Sequence, residues 1–127
     1  MMNIEFISTE KAPQAVGPYS QGVKANNIIF TSGQLPIVPE TGELVMDDIR
    51  KATRQSLDNV LAVVKAGGGD ISNIVKVNIY VKNMDDFGAV NEVYDKFFNG
   101  HKPARSCVEV SRLPKDGLIE IEAIAIL

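Results

Sequence analysis

Residues 103–110 read P-A-R-S-C-V-E-V, residues 111–117 read S-R-L-P-K-D-G, and residues 118–127 read L-I-E-I-E-A-I-A-I-L. Two runs alternating apolar and polar residues flank a Pro-Lys-Asp-Gly turn signal, a pattern that predicts a β-hairpin. Strand side chains repeat every second residue, so Arg105, Cys107 and Glu109 share one face of the first strand. Glu120 and Glu122 share one face of the second. A guanidinium, a thiol and carboxylates are therefore expected close together on strands otherwise rich in Val, Ile and Ala.

Working backwards, Ile74 to Val81 (I-V-K-V-N-I-Y-V) is the clearest strand, with Val75, Val77, Ile79 and Val81 on one face and Lys76, Asn78 and Tyr80 on the other. Asp85 and Asp86 open a helix after it, whose apolar stripe is Phe87, Val90, Tyr94, Phe97 and Phe98. Asn91 lies beside that stripe and reads as a boundary amide. An earlier helix starts at Ile49 behind Asp47 and Asp48, with Ala52, Leu57, Val60, Leu61 and Val64 on its apolar side. Its basic residues Arg50, Lys51 and Arg54 read as a solvated face. Gly67-Gly68-Gly69 follows this helix, so it serves as a C-terminal stop and not as a phosphate loop, which needs its glycines before a helix.

The N-terminal third predicts a short edge strand at 4–7, a Pro-containing loop, and strands at 21–25 and 28–32 joined by Asn26-Asn27. Tyr19, after Gly17-Pro18, reads either as a ring covering the sheet or as a phenol presented to a pocket. Gly33 reads as a turn glycine or as a place where a ligand reaches the backbone.

In chain order these are two or three strands, a helix, a strand, a helix and two strands. Two such helices cover one face of a sheet. Ile28-Ile29-Phe30 and Ala123 to Leu127 are apolar on both faces, so the second face is expected to be buried against further copies of the chain.

Composition bounds the function. The 127 residues suit one domain, 1–127, with 45% apolar and 23% charged residues and a formal net charge of -3. No basic run offers a grip on nucleic acid. No apolar stretch reaches the ~18 residues of a membrane span, and no signal peptide is read at the N-terminus. One cysteine forbids an intrachain disulfide, and a soluble cytoplasmic protein is expected. One cysteine and one histidine cannot close a zinc site. His101 reads as a solvated loop residue, and Cys107 as a small core residue and not a nucleophile. What remains is Arg105, whose paired N–H donors suit the carboxylate of a small organic acid, with Glu120 as acid or base. The alternative is a structural ion pair between Arg105 and Glu120 or a neighbour. A symmetric turn sets Glu122, and not Glu120, opposite Cys107, so the register stays open.

G-P-Y-S-Q-G at 17–22, T-S-G-Q-L-P at 31–36, R-Q-S-L-D-N-V at 54–60, P-A-R-S-C-V-E-V at 103–110 and I-E-I-E-A-I-A at 119–125 together resemble the RidA (YjgF-type) family, nearly end to end. The resemblance implies an α+β fold, a six-stranded mostly antiparallel sheet with two helices on one face (chorismate-mutase-like). It also implies a homotrimer with three clefts between subunits. The implied activity is hydrolysis of 2-aminoacrylate, 2-iminopropionate and similar 2-imino acids to 2-keto acids and ammonia, with no cofactor or metal. Arg105 is then the carboxylate clamp and Glu120 the acidic residue that positions or activates water. Tyr19 matches the pocket tyrosine, Gly33 a glycine whose backbone meets the ligand, Cys107 a cleft-lining cysteine and Asn91 a cleft asparagine. The loop before P-A-R departs from the pattern, being short (N-G-H-K), with Lys102 where many members have an aromatic or apolar residue. Against the deaminase stand a non-enzymatic carboxylate-binding or chaperone-like trimer and a ribonuclease or translation inhibitor, the last disfavoured by the acidic balance.

Overall fold

The strands that flank the Pro-Lys-Asp-Gly segment are not neighbours. In the computed structural model, which describes residues 2–127, β1 (Ile4–Ile7), β2 (Gly22–Ala25), β3 (Ile28–Thr31), β4 (Ile74–Val81), β5 (Ala104–Glu109) and β6 (Ile119–Ile126) form one sheet in the order β1-β2-β3-β6-β4-β5. The expected hairpin is therefore corrected: β4 lies between β5 and β6. Two α-helices, α1 (Ile49–Ala66) and α2 (Phe87–Phe98), and three short 3₁₀ turns accompany the sheet.

The reason lies in the crossover. β4 leads through α2 into β5, and a helical connection returns the chain parallel to the strand it left. β5 is accordingly parallel to β4, and every other pairing in the sheet is antiparallel. The 110–118 segment then crosses the end of β4 and is tied there by Val110 N–H to the Val81 carbonyl and Lys82 N–H to the Leu118 carbonyl, both at 3.0 Å. Lys115 and Asp116 both hold positive φ (58° and 56°), a sharper reversal than a simple four-residue hairpin turn.

Both helices pack on one face. Ile29, Val77, Ile79, Val81, Ile121, Ala123 and Ala125 of the sheet meet Leu57, Val60, Val63 and Val64 of α1 and Val90, Tyr94 and Phe98 of α2 in one buried cluster. The period-2 pattern of β4 breaks once. Ile74 pairs with Ala125 but Lys76 with Ile124, so a bulge at Val75 turns Ile74 inward and leaves Val75 41% exposed. Val75 does not join the inward row expected for it. Asp48 caps α1, its side chain accepting from Arg50 N–H at 2.8 Å and Lys51 N–H at 3.3 Å. The glycine run ends that helix, with Gly69 N–H reaching the Val64 carbonyl at 3.0 Å and Gly68 at φ 100°. On the solvated side, Arg54 pairs with Asp58 within α1 and Arg50 reaches Glu92 on α2.

The other face of the sheet carries no helix. Ile4, Phe6, Phe30, Val108 and Ile126 stand exposed on it or at its rim, Phe6 at 79%. No helix among the described residues is long and apolar enough to cross a membrane.

Candidate active site

β6 carries Glu120 opposite Tyr80 of β4, on the face without helices. Beyond β3 the chain stays beside β6: Gln34 N–H donates to the Ile121 carbonyl at 2.7 Å, and Ile121 N–H returns to the Gln34 carbonyl at 3.1 Å. This bridge lays Gly33 against Glu120. A Cβ at Gly33 would sit 2.7 Å from both Cδ and Oε1 of Glu120, so the missing side chain is what makes room for the carboxyl group. A cavity of about 580 Å³ opens there, with Tyr19, Gly33, Leu35, Lys115 and Glu120 among its walls.

Two buried amides hold the loops around this cavity. Gln21 donates through Nε2 to the carbonyls of Thr9 (3.0 Å), Ala12 (3.2 Å) and Pro13 (2.7 Å), and its Oε1 accepts from Thr9 N–H at 2.6 Å. Asn59, in the middle of α1, donates to the carbonyls of Leu35 (3.1 Å) and Ile37 (2.9 Å). Such groups are left unburied or fully bonded, because an unpaired buried amide is costly. The Glu120 carboxyl accepts no hydrogen bond from any described residue. Burial and, after it, the nearby Glu122 charge push its pKa above the ordinary carboxylate value.

Arg105 stands on the opposite face. β5 pairs with β4 so that Arg105 is opposite Val77 and Cys107 opposite Ile79, on the helix side. Arg105 Nη1 donates to Asn91 Oδ1 on α2 at 2.7 Å. The guanidinium lies 4.8 Å from the Tyr94 ring centroid and 5.6 Å from that of Phe87. Arg105 belongs to none of the ion pairs among the described residues. The structural-pair alternative is thereby set aside within one chain. A second cavity of about 470 Å³ surrounds this group, lined by Asn91, Tyr94, His101, Lys102 and Arg105 among others.

The sequence expectation that guanidinium, thiol and carboxylate cluster in one chain therefore needs correction. Arg105, Asn91 and Cys107 gather on the helix side, and Tyr19, Gly33 and Glu120 on the open side. Neither Glu120 nor Glu122 faces Cys107, because β4 intervenes.

His101 is also corrected: it is half-buried, and its Nε2 lies 2.7 Å from the Ile74 carbonyl. A carbonyl only accepts, so Nε2 carries the proton and is tied to the β4 backbone. Burial raises the Cys107 thiol pKa more than Arg105 lowers it, which disfavours the thiolate a nucleophile would need. For the activity that the resemblance implies, Cys107→Ala is accordingly expected to stay within about threefold of native across neutral pH; a loss of two orders of magnitude would assign the thiol a chemical role. No group of three or more His, Cys, Asp or Glu among the described residues is placed to hold a metal ion.

Sequence reasoning missed Gln21, Asn59 and the second role of Tyr94. Tyr94 sits in the apolar stripe of α2, and only its distance to Arg105 distinguishes it from core. The amides have no periodic signature; polar residues at inward positions of otherwise apolar stripes were the available hint.

Comparison with known proteins agrees with this architecture. The family model described as Endoribonuclease L-PSP matches residues 9–127. The chain is 56% identical over 123 residues to a 2-iminobutanoate/2-iminopropanoate deaminase of Escherichia coli K12, covering 94% of this chain and 95% of that protein. A RutC family protein of Pyrococcus horikoshii is 55% identical over 121 residues, covering 95% and 96%. Among solved structures, the YjgF gene product of E. coli superposes with a TM-score of 0.93 at 54% identity, covering 96% of this chain and 98% of that one. E. coli TdcF with bound serine gives a TM-score of 0.93 at 47% identity, covering 97% and 98%. With the matching motifs, fold and near-complete coverage, the chain belongs to the RidA (YjgF-type) family.

Proposed function

We propose that this protein hydrolyses 2-imino acids of the 2-iminopropanoate and 2-iminobutanoate kind to 2-keto acids and ammonia, in clefts between copies of the chain closed into a trimer. The observation that carries the reading is Arg105, a guanidinium oriented by Asn91 and two aromatic rings and left without a carboxylate partner. A small α-acid supplies that partner, bound by two parallel N–H donors. A reaction of the kind named for the E. coli relative is served by such a clamp together with a proton-transfer group. The acid group is on the other face of the sheet, so the cleft is completed when the Arg105 side of one copy meets the Glu120 side of the next. The exposed apolar residues of the open face supply a reason for copies to associate.

In that cleft the clamped acid presents C2 to water. Water oxygen bonds to C2 of the protonated imine as the C=N electron pair moves to nitrogen, and Glu120 takes the released proton. The resulting carbinolamine receives that proton on nitrogen. Its C–N bond then breaks with the electron pair leaving on ammonia, and C=O forms as the hydroxyl proton passes to the Glu120 carboxylate. A carboxyl group with a raised pKa suits both halves of this exchange. Tyr19 and Gly33 border the same cavity, and there the Tyr19 phenol orients the nitrogen end.

The test follows imines made in place by an amino-acid oxidase. The native protein is expected to accelerate keto-acid and ammonia formation from 2-iminopropanoate above free hydrolysis. Glu120→Gln should lose about 10²- to 10⁴-fold of that acceleration, the range for a positioned acid–base group. No acceleration by the native protein would leave a carboxylate-binding trimer as the better reading.

A further inference from the structure

Two carboxylates project from β6 on the same face, and their surroundings differ. Glu122 is anchored: Oε2 accepts from Asn78 Nδ2 at 3.1 Å and from the Tyr80 hydroxyl at 3.2 Å. Glu120, one same-face step away, accepts no hydrogen bond from any described residue and sits in the room left by Gly33. Residues two apart on a strand are separated by ~7 Å. The anchors are themselves fixed by register, Asn78 opposite Glu122 and Tyr80 opposite Glu120 on the adjacent strand.

We propose that Glu122 is a positioning residue for the reaction, a carboxylate fixed by Asn78 and Tyr80 so that its charge stays beside Glu120 and governs the proton exchange of that group. The proposal rests on the reading of Glu120 as the acid–base group, and the test separates the two. Pairs of titratable groups held in unlike environments commonly divide such work, one mobile toward substrate and one fixed. The Tyr80 hydroxyl registers both neighbours, since the charges of Glu122 and Glu120 add to burial in raising its pKa.

Other groups face Glu120 from each neighbouring element. From β4 they are Tyr80 and, one pair further along, Asn78; Lys76 points its ammonium to Ser106 Oγ on β5 at 3.2 Å. From the 110–118 segment Lys115 borders the same cavity, and from the N-terminal loop Tyr19 does so. The segment carrying Gly33 and Gln34 brings no charge. Glu122 is thus the negative charge on the same strand face that is held in place by its own donors.

A fixed negative neighbour disfavours the Glu120 carboxylate, so removing that charge lowers the pH at which Glu120 titrates. The experiment is a ¹³C-carboxyl NMR titration of Glu120 in the assembled protein, alongside the pH profile of kcat/KM for 2-iminopropanoate. In Glu122→Gln the Glu120 midpoint is expected to fall by roughly 0.5–1 pH unit, with the matching limb of the rate profile moving equally. Tyr80→Phe, which removes one anchor and no charge, should move it the same way by less; this variant serves if Glu122→Gln does not assemble. A merely structural Glu122 would lower the rate equally at every pH and leave the midpoint in place, and that result would overturn the proposal. Full activity in Glu120→Gln would overturn the reading of Glu120 instead, while the NMR midpoint would still report on the charge at Glu122.

Discussion

Arg105→Ala is expected to lower kcat/KM for 2-iminopropanoate by about 10²- to 10³-fold while the chain stays folded. Removing one partner of a desolvated, charge-assisted pair costs about 2–5 kcal/mol, and each 1.36 kcal/mol is tenfold in rate. Folding should survive because Arg105 lies on β5, the edge strand, half-buried, with Asn91 as its one side-chain hydrogen bond. Arg105→Lys should recover little, since an ammonium cannot donate in parallel to both oxygens while remaining against Tyr94. The opposite-face placement of Arg105 and Glu120 gives a sharper form of the experiment. Arg105→Ala and Glu120→Gln are each expected to be nearly inactive alone. Co-expressed in equal amounts, they should recover about one quarter of native activity. In a closed ring of three, every mixed ring holds one cleft with both native groups, and three quarters of randomly formed rings are mixed. Mixed rings as inactive as the parents would show that the two groups do not share a cleft across copies.

The residues that made this prediction possible were unequally legible in the sequence. Side-chain periodicity put Arg105 with Cys107, and Glu120 with Glu122, on common faces, and those local assignments hold in the sheet. Which strand lies next to which is a long-range matter. Periodicity is the same whether β5 pairs with β6 or with β4, and the Pro-Lys-Asp-Gly signal marks a reversal without saying how far apart the strands land. The helical connection between β4 and β5 decided it, through the parallel crossover it imposes. That one topological fact moved Arg105 and Glu120 to opposite faces, so closeness in sequence misled. The bulge at Val75 was invisible for a similar reason: an extra residue in an apolar run leaves the run apolar. Tyr19 and Gly33 were open between bland and functional readings on their own residues, and the family resemblance singled them out. The bridge from Gln34 to Ile121, which lays the Gly33 segment along β6 at Glu120, is a long-range contact that neither residue signals locally.

Gly33→Ala is the change that exploits this contact, and its expected effect is on rate and not on folding. The new Cβ would lie 2.7 Å from Cδ and Oε1 of Glu120 and 3.0 Å from its Cγ, nearer than carbon atoms approach without displacement. Those atoms are the outer part of a flexible side chain, and Gly33 does not occupy the positive-φ region that penalises alanine. The backbone can therefore accept the methyl group while the carboxyl turns away, leaving stability within about 1 kcal/mol of native. A displacement of about 1 Å in a positioned group can cost roughly 10²-fold in rate, so a tenfold to hundredfold loss in kcat/KM is expected. Thermal unfolding and imine hydrolysis measured on one preparation separate the two effects. If Gly33 acts through Glu120, the double variant Gly33→Ala, Glu120→Gln will be no slower than Glu120→Gln alone, because residues that act as a unit do not contribute additively. Multiplying losses in the double variant would mean that Gly33 serves substrate through its own backbone, independently of the carboxyl group beside it.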